Sequence, residues 1–483
     1  VVNAVLTLSR YHVVSEPLQD VTGGPVRVVL FGTRRAEGVV VDVASYRAIA
    51  AGRFDSLDEA LIGALIDAEL LIPRDENELT TILARNRAAI DDFKTFNVVV
   101  QPTAACQFAC GYCAQKHEAT SLSDDDMRRL TALVASKLAT GKFTALKASW
   151  HGGEPLLGLN GLRRLSVDFQ AAAASHGCTY TSNITTNGYT LTPDLAEELV
   201  SQHKVNEIQI TLDGDAASHD QTRVRHGGGG TFDTVFANVV AVAERMGLRA
   251  GLAIRCNVHK QNRDSVVTLI DTLAAAGLHD KLKNVYFVSL HDWGNRAGDE
   301  AMTKEQFAEM EIGWMARLLS HGFRVSLVPS RVSVTCLAVK NDGFVVDPRG
   351  RLYNCPEPPL IQTPTRLAAS DTAATATLPV DALPAEADYF AIGSLEHGVD
   401  DTRRSIIGQF FDIVERHETP CATCPVLGVC GGACPKHWLQ GNPPCPSFKW
   451  NLSEKLRLQM ALDRRSRALN CDASTPLVDL CSY

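Results

Sequence analysis

Nowhere does this chain of 483 residues contain the run of roughly 20 apolar residues that a membrane span needs. It also lacks an excess of positive charge. Lys and Arg number 47 against 55 Asp and Glu, a formal net charge of −8, and a basic footprint for bulk nucleic-acid binding is missing. The opening residues Val1-Val2-Asn3-Ala4 have neither the basic start nor the long apolar core of a signal peptide. No internal repeat of fixed period is apparent. These absences point away from membranes, export and nucleic acid, and towards a cytoplasmic location. The remaining composition, 45% hydrophobic and 21% charged, is that of an ordinary globular chain. At about 100–200 residues per domain the length implies two to four domains, enough to bury a core without covalent staples.

Cysteine is the exception, with 14 in the chain. A disulfide framework suits short secreted chains, not a long chain without an export signal. Cys178 and Cys256 stand alone and read as small buried hydrophobes. Ten others fall into patterned groups: Cys106, Cys110 and Cys113, then Cys336, Cys355, Cys421, Cys424, Cys430, Cys434 and Cys445. Clustered thiolates in a reducing compartment imply zinc or iron–sulfur.

The chain divides into three by pattern. Residues 1–92 carry strand-like runs at Ala4–Leu8, Val26–Phe31 and Gly38–Val43, followed by short helices at Ser45–Ile49, after a cap at Ser56, and over Glu76–Phe93. Residues 93–328 alternate strand and helix. The expected strands are Phe96–Val100, Thr144–Trp150, Thr179–Thr186, Glu207–Leu212, Leu252–Val258 and Asn284–Leu290. Repeated β-α units imply a parallel sheet clothed in helices, open or closed into a barrel. Residues 329–483 break the pattern with cysteine loops, and an Ala/Thr/Pro-rich stretch at 363–388 reads as a surface insertion.

The first expected barrel strand runs into Cys106-x3-Cys110-x2-Cys113. Three thiolates on one loop can hold three irons of a four-iron cluster and leave the fourth open, whereas structural zinc prefers two pairs of ligands. With Tyr112 before the last cysteine, this loop resembles the C-x3-C-x-aromatic-C signature of the radical S-adenosylmethionine superfamily. Further segments are similar to that family in the same order. Gly152-Gly153-Glu154-Pro155 resembles its GGEP turn, Thr186-Asn187-Gly188 its TNG segment, Thr211-Leu212-Asp213-Gly214 its SLDG segment, and His219-Asp220-x2-Arg223 its HDxxR element. The resemblance implies that Tyr112, Gly152, Gly153, Glu154, Asn187, Thr211 and Arg223 contact S-adenosylmethionine. GGEP would receive its amino group and Arg223 its carboxylate, a task suited to a planar guanidinium. It further implies reductive cleavage of the sulfonium and hydrogen abstraction from a substrate.

Cys336-x13-Gly350-x4-Cys355, then Cys421-x2-Cys424-x5-Cys430-x3-Cys434 and Cys445, resembles the seven-cysteine SPASM domain. That pattern implies two auxiliary four-iron clusters. Cys336, Cys355 and Cys434 would serve the inner one and Cys421, Cys424, Cys430 and Cys445 the outer. The inner set is one ligand short. Asp342 completes it, Cys471 or Cys481 swings in, or the iron stays open. Three 4Fe-4S clusters in all are implied.

The fold class expected is α/β, a partial (β/α)6 TIM-like barrel with an N-terminal winged-helix-like module (1–92) and a C-terminal cysteine-rich SPASM domain (329–483). The order of elements in residues 1–92 is similar to the peptide-recognition module of enzymes that mature ribosomally made peptides, where a leader peptide adds a strand to a sheet edge. The expected activity is therefore hydrogen abstraction from a precursor peptide, installing a C–C, C–O or thioether cross-link or a related modification. The partners are a precursor peptide with its leader and an electron donor such as flavodoxin or ferredoxin. Sulfatase-maturing relatives carry Asp directly after the second cysteine of this domain. Here Pro356 and Glu357 follow Cys355, which leaves Glu357 as a weaker base and formylglycine formation as the alternative. An iron–sulfur peptide-binding scaffold without turnover is the alternative from another class. No acid–base residue declares itself; His151, His219 and His291 read as strand-end structural residues.

Overall fold

The computed structural model describes residues 5–19, 24–290, 297–340, 342–361, 390–400, 410–439 and 441–469. Residues 1–4, the insertion at 363–388, His291, Cys471 and Cys481 lie outside the described residues.

The first 92 residues build two small sheets. β1 (Leu6–Leu8) pairs antiparallel with β5 (Leu71–Pro73), and β2 (His12–Val14), β3 (Arg27–Gly32) and β4 (Glu37–Asp42) form an antiparallel three-stranded sheet. β2 and β5 are only three residues long, too short to show a period, and the sequence did not announce them. α1 (Val43–Ala50), α2 (Glu59–Asp67) and α3 (Glu78–Asp91) follow. The cap of α2 differs from the expectation. Ser56 closes a separate turn through a bond from its hydroxyl to the Arg53 carbonyl, and Asp58 caps the helix by accepting from Leu61 N at 2.8 Å. A carboxylate one residue before the first helical turn meets the helix dipole as well as the free N–H groups.

The large sheet has ten strands in the order β11-β10-β9-β8-β7-β6-β12-β13-β14-β15. Six of them, β6 (Thr95–Val100), β7 (Ala145–Trp150), β8 (Thr179–Thr186), β9 (Val205–Thr211), β10 (Leu252–Val258) and β11 (Asn284–Ser289), are parallel neighbours. The crossovers carry α4 (Asp124–Leu138), α5 (Leu159–Ser175), α6 (Pro193–Ser201), α7 (Ala216–Thr222), α8 (Phe232–Met246) and α9 (Val266–Ala275), and α10 (Ala297–Glu300) and α11 (Lys304–Ser320) follow β11. Ser123 and Asp126 close a full capping box at the start of α4.

Strand alternation decides the two faces of this sheet. Phe96, Val98 and Val100 of β6, Leu146, Ala148 and Trp150 of β7, and Leu252, Ile254, Cys256 and Val258 of β10 join helix residues such as Leu130, Val134, Leu165, Phe169 and Val239 in the main core. Each such large side chain removed from water contributes roughly 1.5–3 kcal/mol. The alternate positions, among them Asn97, Lys147, Asn183, Gln209, Arg255 and Tyr286, are polar and half-buried. One face is a hydrophobic seam with the helices, and the other is a polar, open face.

β12 (Gly343–Val346) adds to β6 in parallel, and β13 (Arg351–Tyr353), β14 (Ala391–Ser394) and β15 (Gly398–Val399) continue antiparallel. The segment expected to start a third unit at 329 thus extends the central sheet. Its strands gave no signal because Gly343-Phe344-Val345-Val346 is buried on both faces and does not alternate. The N-terminal sheet packs on the late cysteine segment. Val29 and Phe31 cluster with Val426, Val429, Leu452, Leu456 and Met460, and Tyr11 Oη donates to the Ala422 carbonyl at 2.9 Å. Among the described residues no helix is long and apolar enough to cross a membrane.

Candidate functional site: a strapped cysteine loop and two further thiol groups

The loop after β6 is held by backbone bonds on two sides. Ala109 N donates to Val224 O at 2.8 Å and Gly111 N to Thr222 O at 2.9 Å, while His226 N donates to Gln107 O at 3.0 Å. The segment carrying Arg223 is therefore laced to the segment carrying Cys106, Cys110 and Cys113. On the other side Glu154 N donates to Ala105 O at 2.8 Å. The approach is so close at Gly153 that a Cβ would meet Ala105 O at 2.5 Å and Ala104 O at 2.8 Å. Only glycine fits there.

Glu154 is buried and accepts three hydrogen bonds, from Leu156 N at 2.9 Å, Thr186 Oγ1 at 2.7 Å and Asn187 N at 2.7 Å. Burial pushes its carboxyl up and those donors pull it back. Its carboxylate ties the glycine turn to the end of β8, so it braces the site rather than standing open in it. Asn187 Oδ1 accepts from Tyr189 N at 3.0 Å and Gln107 Nε2 at 3.3 Å, and its Nδ2 lies 4.0 Å from Cys106 Sγ.

Tyr112 is the hub of the opposite wall. Its hydroxyl donates to Asp213 Oδ2 at 2.6 Å and accepts from Arg223 Nη1 at 2.6 Å and Asn257 Nδ2 at 3.2 Å. Asp213 is fully buried and also accepts from Asn257 N at 2.7 Å. Arg223 is 7% exposed, lies over the Phe108 ring, and stands 3.9 Å from Asp213. Burial opposes its charge, but Tyr112, Cys110 and Asp213 outweigh that and hold its pKa above the ordinary value. Its Nε is buried without a hydrogen-bond partner. An orphaned guanidinium donor on the segment laced to the cysteine loop fits a carboxylate ligand. Thr211 is buried at the end of β9.

His219 and Asp220 are structural. Asp213 N donates to His219 Nδ1 at 3.1 Å, so Nε2 carries the proton and donates to Thr231 Oγ1 at 3.1 Å, which in turn donates to Arg223 O at 2.7 Å. Burial, then Arg223, pushes the His219 pKa down to about 2. Asp220 Oδ1 accepts from Thr231 N and Phe232 N and so holds the start of α8.

Electrostatic influence links the cysteines within each of the three groups. Cys106 lies within electrostatic reach of Cys110 and Cys113. Cys355 lies within reach of Cys336 and Cys434, and Cys430 within reach of Cys421, Cys424 and Cys445. Burial pushes the Cys106 and Cys430 thiols up to about 12 and Cys421 and Cys434 up to about 11. The twelve cysteines among the described residues are all free of disulfides. Among the described residues no three His, Cys, Asp or Glu side chains meet the spacing of a closed metal site. What is present is the donor set, soft sulfur, which suits iron–sulfur or zinc. The left-handed Gly431 and Gly432 turn the chain between Cys430 and Cys434.

Asp342 is 1% exposed and receives Asn97 Nδ2 at 2.8 Å. Glu357 sits beside the Cys336, Cys355 and Cys434 group. It accepts from Lys436 Nζ at 2.8 Å and lies 3.6 Å from His437 Nε2. Burial pushes its carboxyl up, yet His437 and Lys436 together hold it down at about 2. Sequence reasoning missed this clamp, and it missed Asp213 and Asn257 as wall residues. Asp213 was in view as the acid of Thr211-Leu212-Asp213-Gly214. A buried Asn at the end of an apolar strand was the available signal for Asn257.

Comparison with known proteins comes from sequence and from fold. Residues 100–288 match the Radical SAM superfamily, a span that contains the first cysteine loop and every segment laced to it. Native anSMEcpe with bound AdoMet and Cp18Cys peptide is 15% identical, with 78% of this chain and 99% of that chain covered and a TM-score of 0.54. Native anSMEcpe with bound AdoMet gives 15% identity over the same shares with a TM-score of 0.52. Streptococcus suis SuiB bound to precursor peptide SuiA is 14% identical, with 92% of this chain and 98% of that chain covered and a TM-score of 0.48. At these identities the structural likeness is one of fold.

Proposed function

We propose, on the premise that this chain carries a radical SAM domain over residues 100–288, that it is a peptide maturase. It takes a hydrogen from a ribosomally made precursor peptide and installs a C–C, C–O or thioether cross-link or a related modification. The observation that supports this best is the three-cysteine loop strapped by backbone bonds to the Arg223 segment and to the Gly153 turn, with an orphaned Arg223 Nε beside it.

Cys106, Cys110 and Cys113 would hold the radical-generating cluster, and Arg223, with its orphaned Nε, the methionine carboxylate. When bound, cluster and S-adenosylmethionine together supply one-electron cleavage of the sulfonium and a carbon radical for hydrogen abstraction. The chain's own residues position and enclose. Backbone carbonyls of the Gly152-Gly153 turn would take the amine, Asn187 and Thr211 would meet the polar edge, and Glu154 braces the turn. Tyr112, Asp213 and Asn257 fix the Arg223 wall. Cys336, Cys355 and Cys434, then Cys421, Cys424, Cys430 and Cys445, would hold two auxiliary 4Fe-4S clusters in a SPASM-type unit beginning near residue 329. Asp342, Cys471 and Cys481 stay open as candidates for the fourth inner ligand.

In the three-stranded sheet β2-β3-β4 the strands β2 and β4 are edge strands, and a leader strand would add to one of them, as a winged-helix-like module over residues 1–92 would require. The contact of Val29 and Phe31 with Val426 and Val429 supports a path from that module to the cysteine quartet. Flavodoxin or ferredoxin would supply the electron, in a reducing cytoplasm. Formylglycine formation is disfavoured because the Glu357 carboxylate is committed to Lys436. Anaerobic reconstitution with iron and sulfide tests the cofactor count, with about twelve irons per chain expected. Four irons, or zinc, would remove the auxiliary assignment. Incubation with the peptide of a neighbouring small reading frame tests the activity. A loss of two hydrogens supports cross-linking, and conversion of a sulfatase Cys or Ser overturns the reading.

A further inference from the structure

On the open face of the sheet Arg255 stands out. It lies in β10 between Thr211 of β9 and Tyr286 of β11. Its neighbours Ile254 and Cys256 point into the core, so the guanidinium points the other way. Nε donates to Asn257 Oδ1 at 2.9 Å, and Asn257 Nδ2 donates to Tyr112 Oη at 3.2 Å. The plane of the guanidinium is thereby fixed from the cysteine loop, and neither Nη has a hydrogen-bond or ion-pair partner among the described residues. The chain's other arginine at this wall, Arg223, is committed to Tyr112 and lies near Asp213.

A second unspent group lies at the end of another strand of the sheet, with β8 and β9 between. His151 follows β7, is half-buried, and has a buried Nδ1 without a partner. It feels the charges of both Arg255 and Glu357. Burial first, then Arg255, pushes its pKa down to about 4, so near neutral pH it is an uncharged donor and acceptor. Glu357, the acid on that side, is already paired with Lys436.

We propose that Arg255, held by Asn257, is a receptor for a carboxylate of the peptide substrate. The inference rests on the peptide reading above and adds the chemistry of the residue presented to the radical site. A half-buried guanidinium has lost part of its hydration, and its two free Nη groups match the two oxygens of a carboxylate. An amide in that place would leave the charge uncompensated, so the site selects against neutral ligands. Two sources share this chemistry, an Asp or Glu side chain and the C-terminal carboxylate of the peptide.

Isothermal titration on the reconstituted protein with S-adenosylmethionine tests it. The probes are Gly-Ala-X-Ala-Gly peptides blocked at both ends, with X as Asp, Asn or Ala, and the Ala peptide with a free C-terminus. A carboxylate peptide is expected to bind about tenfold tighter than the Asn peptide, equal to about 1.4 kcal/mol. Preference for the Asp peptide assigns the side chain as source, and preference for the free C-terminus assigns the terminus. In R255Q that ratio falls to about one. R255K, which keeps the charge but not the fork, loses part of it and serves if R255Q does not fold. No preference in the wild type, no binding of either carboxylate peptide at about 10 mM, or a preference that survives both variants overturns the proposal. So does a rise of more than about tenfold in the Kd of R255Q for S-adenosylmethionine, which would put the guanidinium on the cofactor. Formation of 5′-deoxyadenosine with dithionite alone is followed in parallel. Its absence removes the maturase reading and the receptor with it, whereas its presence without a carboxylate preference removes the receptor alone.

Discussion

Tyr112→Phe isolates one hydroxyl at the centre of the site. The ring stays, and three hydrogen bonds go: one given to Asp213 and one taken from Arg223, both at 2.6 Å, and one taken from Asn257 at 3.2 Å. Bonds to charged groups contribute about 1.5–3 kcal/mol each. The full sum is not lost, because Arg223 Nη1 already lies 3.9 Å from Asp213 and can close on it. The net cost is about 2 kcal/mol. At about 2–4 °C per kcal/mol for a domain of 150–250 residues, the melting temperature falls by about 4–8 °C. Circular dichroism read under anaerobic conditions measures it. A cycle with Asp213→Asn should show coupling of about 1 kcal/mol between the two side chains. The Kd for S-adenosylmethionine should rise as Arg223 swings towards Asp213. A melting temperature within about 1 °C of the wild type, with unchanged affinity, would refute the claim that the hydroxyl organises this wall.

Three other perturbations probe neighbouring parts. Glu154→Gln sets an NH2 group against a donor that the carboxylate now satisfies, and should cost about 2–3 kcal/mol in urea unfolding with loss of cofactor affinity; an unchanged midpoint would deny the bracing role. His219 holds its pKa at about 2 against an ordinary 6.5, so below pH 6.5 the unfolded chain binds a proton that the folded chain refuses. Its share of stability is whole above that pH and declines by about 1.4 kcal/mol per unit as pH falls; His219→Asn should flatten the stability profile between pH 6.5 and 4.5 by that slope, and an identical slope would contradict the assignment. Ser123→Ala removes the α4 capping box and should cost about 1 kcal/mol while leaving the Kd for S-adenosylmethionine alone; a changed Kd would show that the cap reaches the site.

The sequence was most legible where one period dominates. β8 and β10 lie where the sequence put them, over Thr179–Thr186 and Leu252–Val258. Legibility failed where length or burial hides the period. β2 has three residues, and β12 is buried on both faces, so the extension of the sheet past β6 could not be read locally. The site was legible as linear motifs, because chemistry fixes the spacing of thiols on a loop. Its walls were not. Arg255 and Asn257 lie on β10 while His151 follows β7, and only the strand order of the sheet relates them. Glu357 shows the same limit. Two residues from Cys355 it reads as a base, and only the fold reveals Lys436 against it.

On the function proposed above, Cys106, Cys110 and Cys113, strapped between Arg223 and the Gly153 turn, would hold the cluster that makes a radical from S-adenosylmethionine. The most direct measurement is 5′-deoxyadenosine formed by anaerobically reconstituted protein with dithionite and S-adenosylmethionine, quantified by liquid chromatography and mass spectrometry. The account predicts 5′-deoxyadenosine from the wild type and none from the triple variant Cys106→Ala, Cys110→Ala, Cys113→Ala. No product from the reconstituted wild type, or undiminished product from the triple variant, would contradict it.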